Sequence, residues 1–70
     1  MNATEELLSF FRFDHLPVEL AAVAEPFADL AAVIVERTPE NRERTVALRK
    51  LLEAKDSAVR ARLLGSPSKG

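Results

Sequence analysis

Residues 17–44, PVELAAVAEPFADLAAVIVERTPENRER, decide the fold of this chain. Their apolar residues recur at steps of three and four, as from Leu20 through Phe27 to Ile34, and this spacing is typical of one face of an α-helix. Pro17 suits the first helical position, because the N–H that proline lacks would have no partner there. We therefore predict a long amphipathic helix that begins at Pro17.

The turn at residues 37–40, RTPE, separates this helix from a second long one. Thr38 is expected to cap the second helix and Pro39 to take its first position. Apolar residues again recur at helical spacing as far as Leu64, and Gly65 is a typical helix stop. Two helices of about 20 and 25 residues joined by a short turn predict an antiparallel hairpin.

A short helix is predicted ahead of the hairpin, from about Ala3 to Phe10. Asn2 can cap it, and Glu5 completes a capping box three residues later. A helix of this length is marginal in water, so it must pack against the hairpin. Phe10 and Phe11 are expected to make that contact, and stacking on a nucleobase is their alternative role.

Pro26 lies inside the first long helix, where proline removes a hydrogen bond and clashes with the carbonyl of Ala22. Two outcomes stay open, namely a kink near residues 22–25 or a short helix followed by a second start at Pro26. A bend here would serve packing or would shape a pocket.

The predicted fold class is all-α, with a short N-terminal helix plus a two-helix antiparallel hairpin in a single domain at residues 1–64. Residues 65–70, GSPSKG, are expected to be a flexible tail. A chain of 70 residues has room for one small core. Because the apolar stripes are wide and rich in alanine, we expect several copies to associate as a homo-oligomeric helical bundle.

The composition excludes several classes of function. The sequence has no cysteine and one histidine, so disulfides, thiolate nucleophiles and cysteine-based zinc sites are excluded. Without a nucleophile elbow or a glycine-rich phosphate loop, we predict no catalytic residue, no enzyme activity, no metal site and no cofactor. No apolar run approaches the ~20 residues of a membrane span, and the start MNATEELLSF is acidic where a signal peptide is basic. These features predict a soluble intracellular protein.

Charge is unevenly distributed along the chain. Residues 1–35 carry one base and six acids, whereas residues 36–70 carry nine bases and five acids. An anionic ligand would therefore find its contacts in the second half. The alternative is that these bases lie on a solvated helix face and pair with the acidic half when copies associate.

Two groups of side chains are candidates for ligand binding. Arg12 lies between Phe11 and Phe13, and aromatic rings beside arginine suit stacking on a nucleobase; packing in the turn is the alternative role of Phe13. The second group, on the basic helix, combines guanidinium groups with side chains that hydrogen-bond phosphate or a base edge. The predicted ligand-binding residues are Arg12, Phe13, Asn41, Arg42, Arg44, Thr45, Arg49 and Lys50.

Four segments carry a resemblance to a known family: FDHLP at 13–17, DLAAVI at 29–34, TPENRE at 38–43 and ALRKLLEA at 47–54. They resemble the anti-CBASS sponges, small helical-hairpin proteins of phages that sequester the cyclic oligonucleotide signals of bacterial immunity. The resemblance spans roughly residues 13–62 without gaps.

The resemblance implies a homohexamer in the cytoplasm of the infected bacterial host. Such a sponge binds cyclic dinucleotides and cyclic trinucleotides in separate pockets between subunits and does not cleave them. It also implies that an aromatic residue near the start of the hairpin stacks on a base, at the position of Phe13, where relatives have tyrosine.

One departure from the family concerns the cyclic-dinucleotide pocket. In relatives a basic side chain of the first arm helps to hold the phosphates, whereas this chain has Ala24, Glu25 and Pro26 in that neighbourhood. It has no base between Arg12 and Arg37. The basic second long helix still offers side chains for a trinucleotide-type pocket.

Two alternatives belong to other classes of protein. The first is a small helical structural or adaptor module whose apolar stripe binds the helices of a protein partner. The second is a nucleic-acid binder, but a net charge of −1 is poor for contact with a phosphate backbone. We therefore expect neither a DNA or RNA polymer nor a membrane as partner.

Overall fold

The structure, a computed structural model, describes residues 2–65. Within this range the chain forms three helices and no strand: α1 is Ala3–Ser9, α2 is Val18–Arg37 and α3 is Arg42–Leu64. The predicted all-α class is confirmed. Residues 66–70 of the predicted flexible tail lie outside the described residues.

The start of α1 is set by the predicted capping box. Asn2 Oδ1 accepts a hydrogen bond from the Glu5 N–H at 2.8 Å, and Glu5 Oε1 accepts one from the Asn2 N–H at 3.3 Å. Both N–H groups would otherwise have no partner within the helix. The helix ends at Ser9 with Phe10 as its C-cap, within a residue of the prediction.

α2 is one continuous helix through Pro26. A second helix start at Pro26 is therefore wrong. Pro26 is exposed, and the long contact of α2 with α3 maintains the helix on both sides of it. Pro17 is the N-cap, so the first helical residue is Val18, one position later than predicted.

The predicted start of α3, with Thr38 as cap and Pro39 first, is also wrong. Thr38 ends α2 instead: its N–H and its Oγ1 both donate to the Ile34 carbonyl, at 3.1 and 2.7 Å. Thr38 precedes proline and is extended, with φ −129° and ψ 148°, as proline favours in its neighbour. Asn41 caps α3, since its Oδ1 accepts from the Arg44 N–H at 2.9 Å.

α3 ends where the sequence predicts. Gly65 is the C-cap, and its N–H donates to the Ala61 carbonyl at 3.2 Å. Its φ of 75° lies in the region that glycine adopts readily and other residues avoid.

The core lies where α1 packs on the hairpin. Leu7 and Phe11 of the N-terminal segment pack with Ala31 of α2 and Leu48 of α3. Phe11 is 2% exposed, so its predicted contact with the hairpin is confirmed. The core is small, and several large apolar side chains remain exposed on the described part of the chain: Phe10, Val18, Leu30, Leu63 and Leu64.

α1 runs parallel to α3 along an elongated molecule of 46 × 23 × 18 Å. Thr4, near the start of α1, hydrogen-bonds Arg44 near the start of α3. Phe10, at the end of α1, lies beside Val59 and Arg60 in the second half of α3. This arrangement brings the α1–α2 loop to the basic second half of α3.

Candidate ligand-binding site

An open depression lies where the end of α1 and the α1–α2 loop face the second half of α3. It has two adjoining parts of about 360 and 260 Å³ that share three lining residues. We call it the basic depression, and define it by Phe10, Arg12, His15, Lys55, Asp56 and Arg60.

The aromatic surface of the basic depression comes from Phe10. This side chain is 56% exposed and lies beside Val59 at the surface, so Phe10 is outside the core that Phe11 joins. Neighbouring positions at a helix end point about 100° apart, and Phe11 is the one directed into the core. Phe13 lies half-buried in the loop and does not line the depression.

Arg12, a predicted ligand-binding residue, faces the depression but is paired with a neighbour. Its Nη2 lies 3.2 Å from Asp14 Oδ2, and its Nε donates to Oδ1 at 3.4 Å. The hydrogen bond from Arg12 lowers the pKa of the Asp14 carboxyl, and Asp14 in turn raises the pKa of Arg12. Asp14 is therefore ionised at neutral pH and competes with any anion for this guanidinium.

Two more cations reach the depression from α3. Lys55 Nζ lies 3.0 Å from Asp56 Oδ1, and the Lys55 side chain is only 11% exposed. Arg60 is exposed, and its Nη2 donates to Ser57 Oγ at 3.1 Å. Arg60 has no carboxylate partner among residues 2–65, so among the cations of the depression its charge is the most available to an anion.

Two of the predicted residues at the hairpin turn serve the local fold. The Asn41 side chain caps α3 and is occupied by the Arg44 N–H. Thr45 is half-buried, and its Oγ1 donates to the Asn41 carbonyl at 3.3 Å. Both polar groups therefore have a partner within the described chain.

Arg44, another predicted ligand-binding residue, connects all three helices. Its Nη1 donates to the carbonyls of Val35 at 3.3 Å and Thr38 at 2.9 Å, and its Nη2 donates to Thr4 Oγ1 at 2.9 Å. Its Nε is buried with no hydrogen-bond partner among the described residues. Carbonyls at a helix C-terminus lack intrahelical donors, and a cation there is stabilised by the helix dipole.

The remaining predicted residues do not join the basic depression. Arg42, Arg49 and Lys50 are exposed on α3 and make no side-chain hydrogen bond or ion pair within residues 2–65. Arg42 and Lys55 are about 20 Å apart along the helix at 1.5 Å per residue. Of these three residues, Arg42 lies at the hairpin turn, whereas Arg49 and Lys50 lie in the middle of α3.

The predicted ligand-binding residues omit Phe10, His15, Lys55 and Arg60, although Phe10 is an alternative stacking ring and the two α3 cations belong to the basic helix. The two α3 residues are distant in sequence from the loop, and only the parallel packing of α1 on α3 brings them together. Amphipathic spacing specifies which face of α1 is buried, but not whether α1 runs parallel or antiparallel to α3. The sequence signal for Lys55 and Arg60 is that the basic residues of α3 continue beyond Lys50.

The chemistry available in the depression is recognition of an anion beside an aromatic ring. Ser9 also lines it, but its Oγ donates to the Glu6 carbonyl at 2.6 Å. No group of three or more His, Cys, Asp or Glu residues able to hold a metal ion occurs among residues 2–65. In the same range, no helix has the length and hydropathy to cross a membrane.

The chain matches no protein-family model, no curated protein and no solved structure.

Proposed function

We propose that this protein binds cyclic di- or trinucleotides and sequesters them without cleavage, as a homo-oligomer in the cytoplasm of a phage-infected bacterium. The observation that carries this proposal is the basic depression. There an exposed phenylalanine ring lies beside arginine, histidine and the cations of α3. The resemblance of residues 13–62 to the anti-CBASS sponges supports the choice of ligand class.

Binding would combine stacking with charge-assisted hydrogen bonds. Phe10 offers a ring face in the depression, and stacking contributes about 1–3 kcal/mol per base. Arg60 and Arg12 offer planar guanidinium groups for the phosphodiesters, at about 1.5–3 kcal/mol for each hydrogen bond to a charged group. For Phe10, Arg12 and Arg60 of one chain these contacts amount to about 4–9 kcal/mol before the cost of association, whereas micromolar binding needs about 8 kcal/mol net, so contacts from further copies are required.

The size of the depression supports an oligomer. Its larger part, about 360 Å³, is near the lower end of the range for small-molecule sites and is open to solvent. A cyclic oligonucleotide is too large to be enclosed there by one chain. The exposed cations of α3 outside the depression, Arg42, Arg49 and Lys50, would then contact ligand from another copy. A hexamer is the assembly that the resemblance favours.

The proposal also accounts for the departure from the resembled family in the first arm of the hairpin, which is α2. Relatives use a base in that arm, whereas this chain has exposed Glu25 and Pro26 there. We propose that phosphate recognition has moved to Arg12 in the loop and Arg60 in α3. Binding leaves the ligand chemically unchanged, because sequestration requires affinity and no reaction.

A structural or adaptor role remains the second candidate. It is favoured by the exposed apolar side chains of the hairpin, among which Val18 is 83% and Leu64 82% exposed. Such an adaptor would bind the helices of another protein and no nucleotide.

Titration calorimetry with cyclic di- and trinucleotides tests the proposal. We expect Phe10→Ala and Arg60→Ala each to weaken binding about tenfold or more, since each removes roughly 1.4 kcal/mol or more of contact. Arg62→Ala is the matched control, because it removes the same charge about 160° around α3 from Arg60. Recovery of the ligand intact after denaturation would exclude cleavage. An absence of binding by the wild-type protein to every ligand would refute the proposal.

A further inference from the structure

An acidic side chain, that of Asp56, belongs to the basic depression. It lines the part of about 260 Å³ together with Phe10 and Arg60. The Asp56 side chain is 46% exposed, so its carboxylate is open to a ligand. A carboxylate repels the phosphodiesters of the ligand in the proposed function. Phosphate binding alone therefore gives no reason for an acid at this position.

Lys55 positions the Asp56 carboxylate. Its Nζ lies 3.0 Å from Asp56 Oδ1, and only 11% of the Lys55 side chain is exposed. A carboxylate can accept about four hydrogen bonds, and the contact with Lys55 uses part of this capacity. Apart from Lys55, residues 2–65 supply Asp56 with no hydrogen-bond donor. Asp56 is therefore a positioned acceptor with capacity to spare.

Arg60 lies beside Asp56 on α3 without pairing with it. Residues four apart on a helix are neighbours, with Cβ atoms about 5–6 Å apart. The Arg60 Nη2 nevertheless donates to Ser57 Oγ, and no ion pair within residues 2–65 joins Arg60 to Asp56. The depression thus offers a cation and a separate acceptor side by side, and both lie near the Phe10 ring.

This arrangement suits the binding of one nucleotide. A nucleotide carries its phosphate and its base on the same ribose, so the two groups meet neighbouring side chains. The guanidinium of Arg60 is suited to the phosphate, and the ring of Phe10 offers a stacking surface to the base. Asp56 is then placed for the hydrogen-bonding edge of that base, because a carboxylate accepts hydrogen bonds and donates none.

Acceptor-only chemistry discriminates among the bases. The two oxygens of a carboxylate make a bidentate contact only with two neighbouring donors. Guanine has such a pair in its N1–H and its 2-amino group, whereas adenine, cytosine and uracil each place an acceptor beside the donor. A carboxylate that faced one of those acceptors would be repelled, which adds to the discrimination.

We propose that the basic depression prefers guanine, and that Asp56 determines this preference by accepting hydrogen bonds from N1–H and the 2-amino group of a base stacked on Phe10. This inference rests on the proposed function, since it takes a cyclic oligonucleotide as the ligand, and it names the base that the site prefers. The preferred ligands are then cyclic di- or trinucleotides that contain guanine.

Titration calorimetry of the wild-type protein tests the preference, with cyclic di- and trinucleotides of guanosine, adenosine or inosine. Ligands of one ring size share the same sugar-phosphate ring and charge, so they differ in the base alone. We expect the guanosine ligand to bind about tenfold or more tightly than the adenosine ligand, as a good bidentate contact provides. The inosine ligand keeps N1–H and lacks the 2-amino group, so its affinity should be intermediate.

Asp56→Asn tests the residue. An amide presents one acceptor and one donor, so this variant should lower the ratio of guanosine-ligand to adenosine-ligand affinity about tenfold. The change in net charge affects both ligands alike and cancels in the ratio. Glu53→Gln is the matched control, because it removes an exposed acid from the previous turn of α3 that does not line the depression. It should keep the wild-type ratio.

The outcomes separate this inference from the proposed function. Equal wild-type affinities for the guanosine and adenosine ligands would overturn the guanine preference and leave sequestration in place. The same ratio in Asp56→Asn as in the wild type would do so too. Binding of none of the ligands would refute the proposed function and the guanine preference with it. The comparison of ligands uses the wild-type chain alone, so it decides the preference even where Asp56→Asn fails to fold.

Discussion

At the scale of single residues, Arg44 connects the three helices of the described fold. Its guanidinium group donates to two carbonyls near the end of α2 and to Thr4 of α1. Sequence spacing placed it among the ligand-binding residues, because a basic residue in the first turn of a helix resembles any other exposed cation. Its partner Thr4 is 40 positions away in sequence, so the interaction depends on tertiary packing.

We predict that Arg44→Ala lowers the free energy of unfolding by about 2–3 kcal/mol, since it leaves several buried groups without partners. Urea unfolding followed by circular dichroism measures this change. Arg42→Ala removes an exposed cation from the same helix turn and should change stability by less than about 0.5 kcal/mol. If Arg44→Ala kept its stability and lost ligand affinity instead, Arg44 would belong to the ligand site.

Asp14 determines how much of the Arg12 charge is available to the phosphate of a ligand. We predict that Asp14→Asn strengthens binding of a cyclic oligonucleotide several-fold at neutral pH, because an ionised carboxylate no longer competes with the phosphate. The lowered pKa of Asp14 sets the pH dependence. Wild-type affinity should rise only as pH falls through that lowered pKa, below the ordinary Asp value of about 3.9, and the variant should lack this rise.

The check on Asp14 is a binding titration at neutral pH and at a series of pH values below 3.8, with Glu19→Gln as the control for net charge. Glu19 is an exposed acid at the start of α2 and has no ion pair in the described chain. Equal gains for both variants would assign the effect to overall charge and not to the contact with Arg12.

At the scale of elements, substitution of Pro26 tests how much stability α2 loses by having a proline in its interior. Proline lacks the N–H that would bond to the Ala22 carbonyl and costs about 3 kcal/mol relative to alanine in a helix interior. Proline offsets part of this cost, because it restricts the conformations of the unfolded chain. We predict that Pro26→Ala stabilises the protein by about 1–3 kcal/mol in urea unfolding, whereas Glu25→Ala changes stability by less than about 0.5 kcal/mol. A less stable Pro26→Ala variant would show that the packing of α2 requires proline.

The helices themselves could be predicted because their ends are specified locally. The capping box at Asn2 and the stop at Gly65 depend on residues within one turn, and both occur as the sequence indicates. The turn between α2 and α3 was harder, since Thr38, Pro39 and Asn41 are all plausible near a helix start. Thr38 is used to end α2, and only the hydrogen bonds decide between these roles.

The candidate site was predicted less well than the helices. Arg12 lies in the basic depression, but Phe10 and not Phe13 lines it. A shift of one residue at the end of α1 decides which of two neighbouring rings, Phe10 or Phe11, is buried. The contribution of Lys55 and Arg60 depends on the direction in which α1 packs, which amphipathic spacing leaves open.

At the scale of the whole molecule, the proposed function places the ligand between copies, because the depression of one chain is too small to enclose a cyclic oligonucleotide. Assembly would bring the basic surfaces of several copies into one particle. Ligand affinity should therefore depend on assembly, whereas Phe10→Ala should lower affinity at constant mass.

Native mass spectrometry of the protein with a panel of cyclic di- and trinucleotides tests the central claim most directly. The account predicts an oligomer, with a hexamer favoured by the resemblance, that gains a whole number of ligands and releases them intact on denaturation. A monomer of 7.7 kDa that gains no ligand from the panel would contradict it.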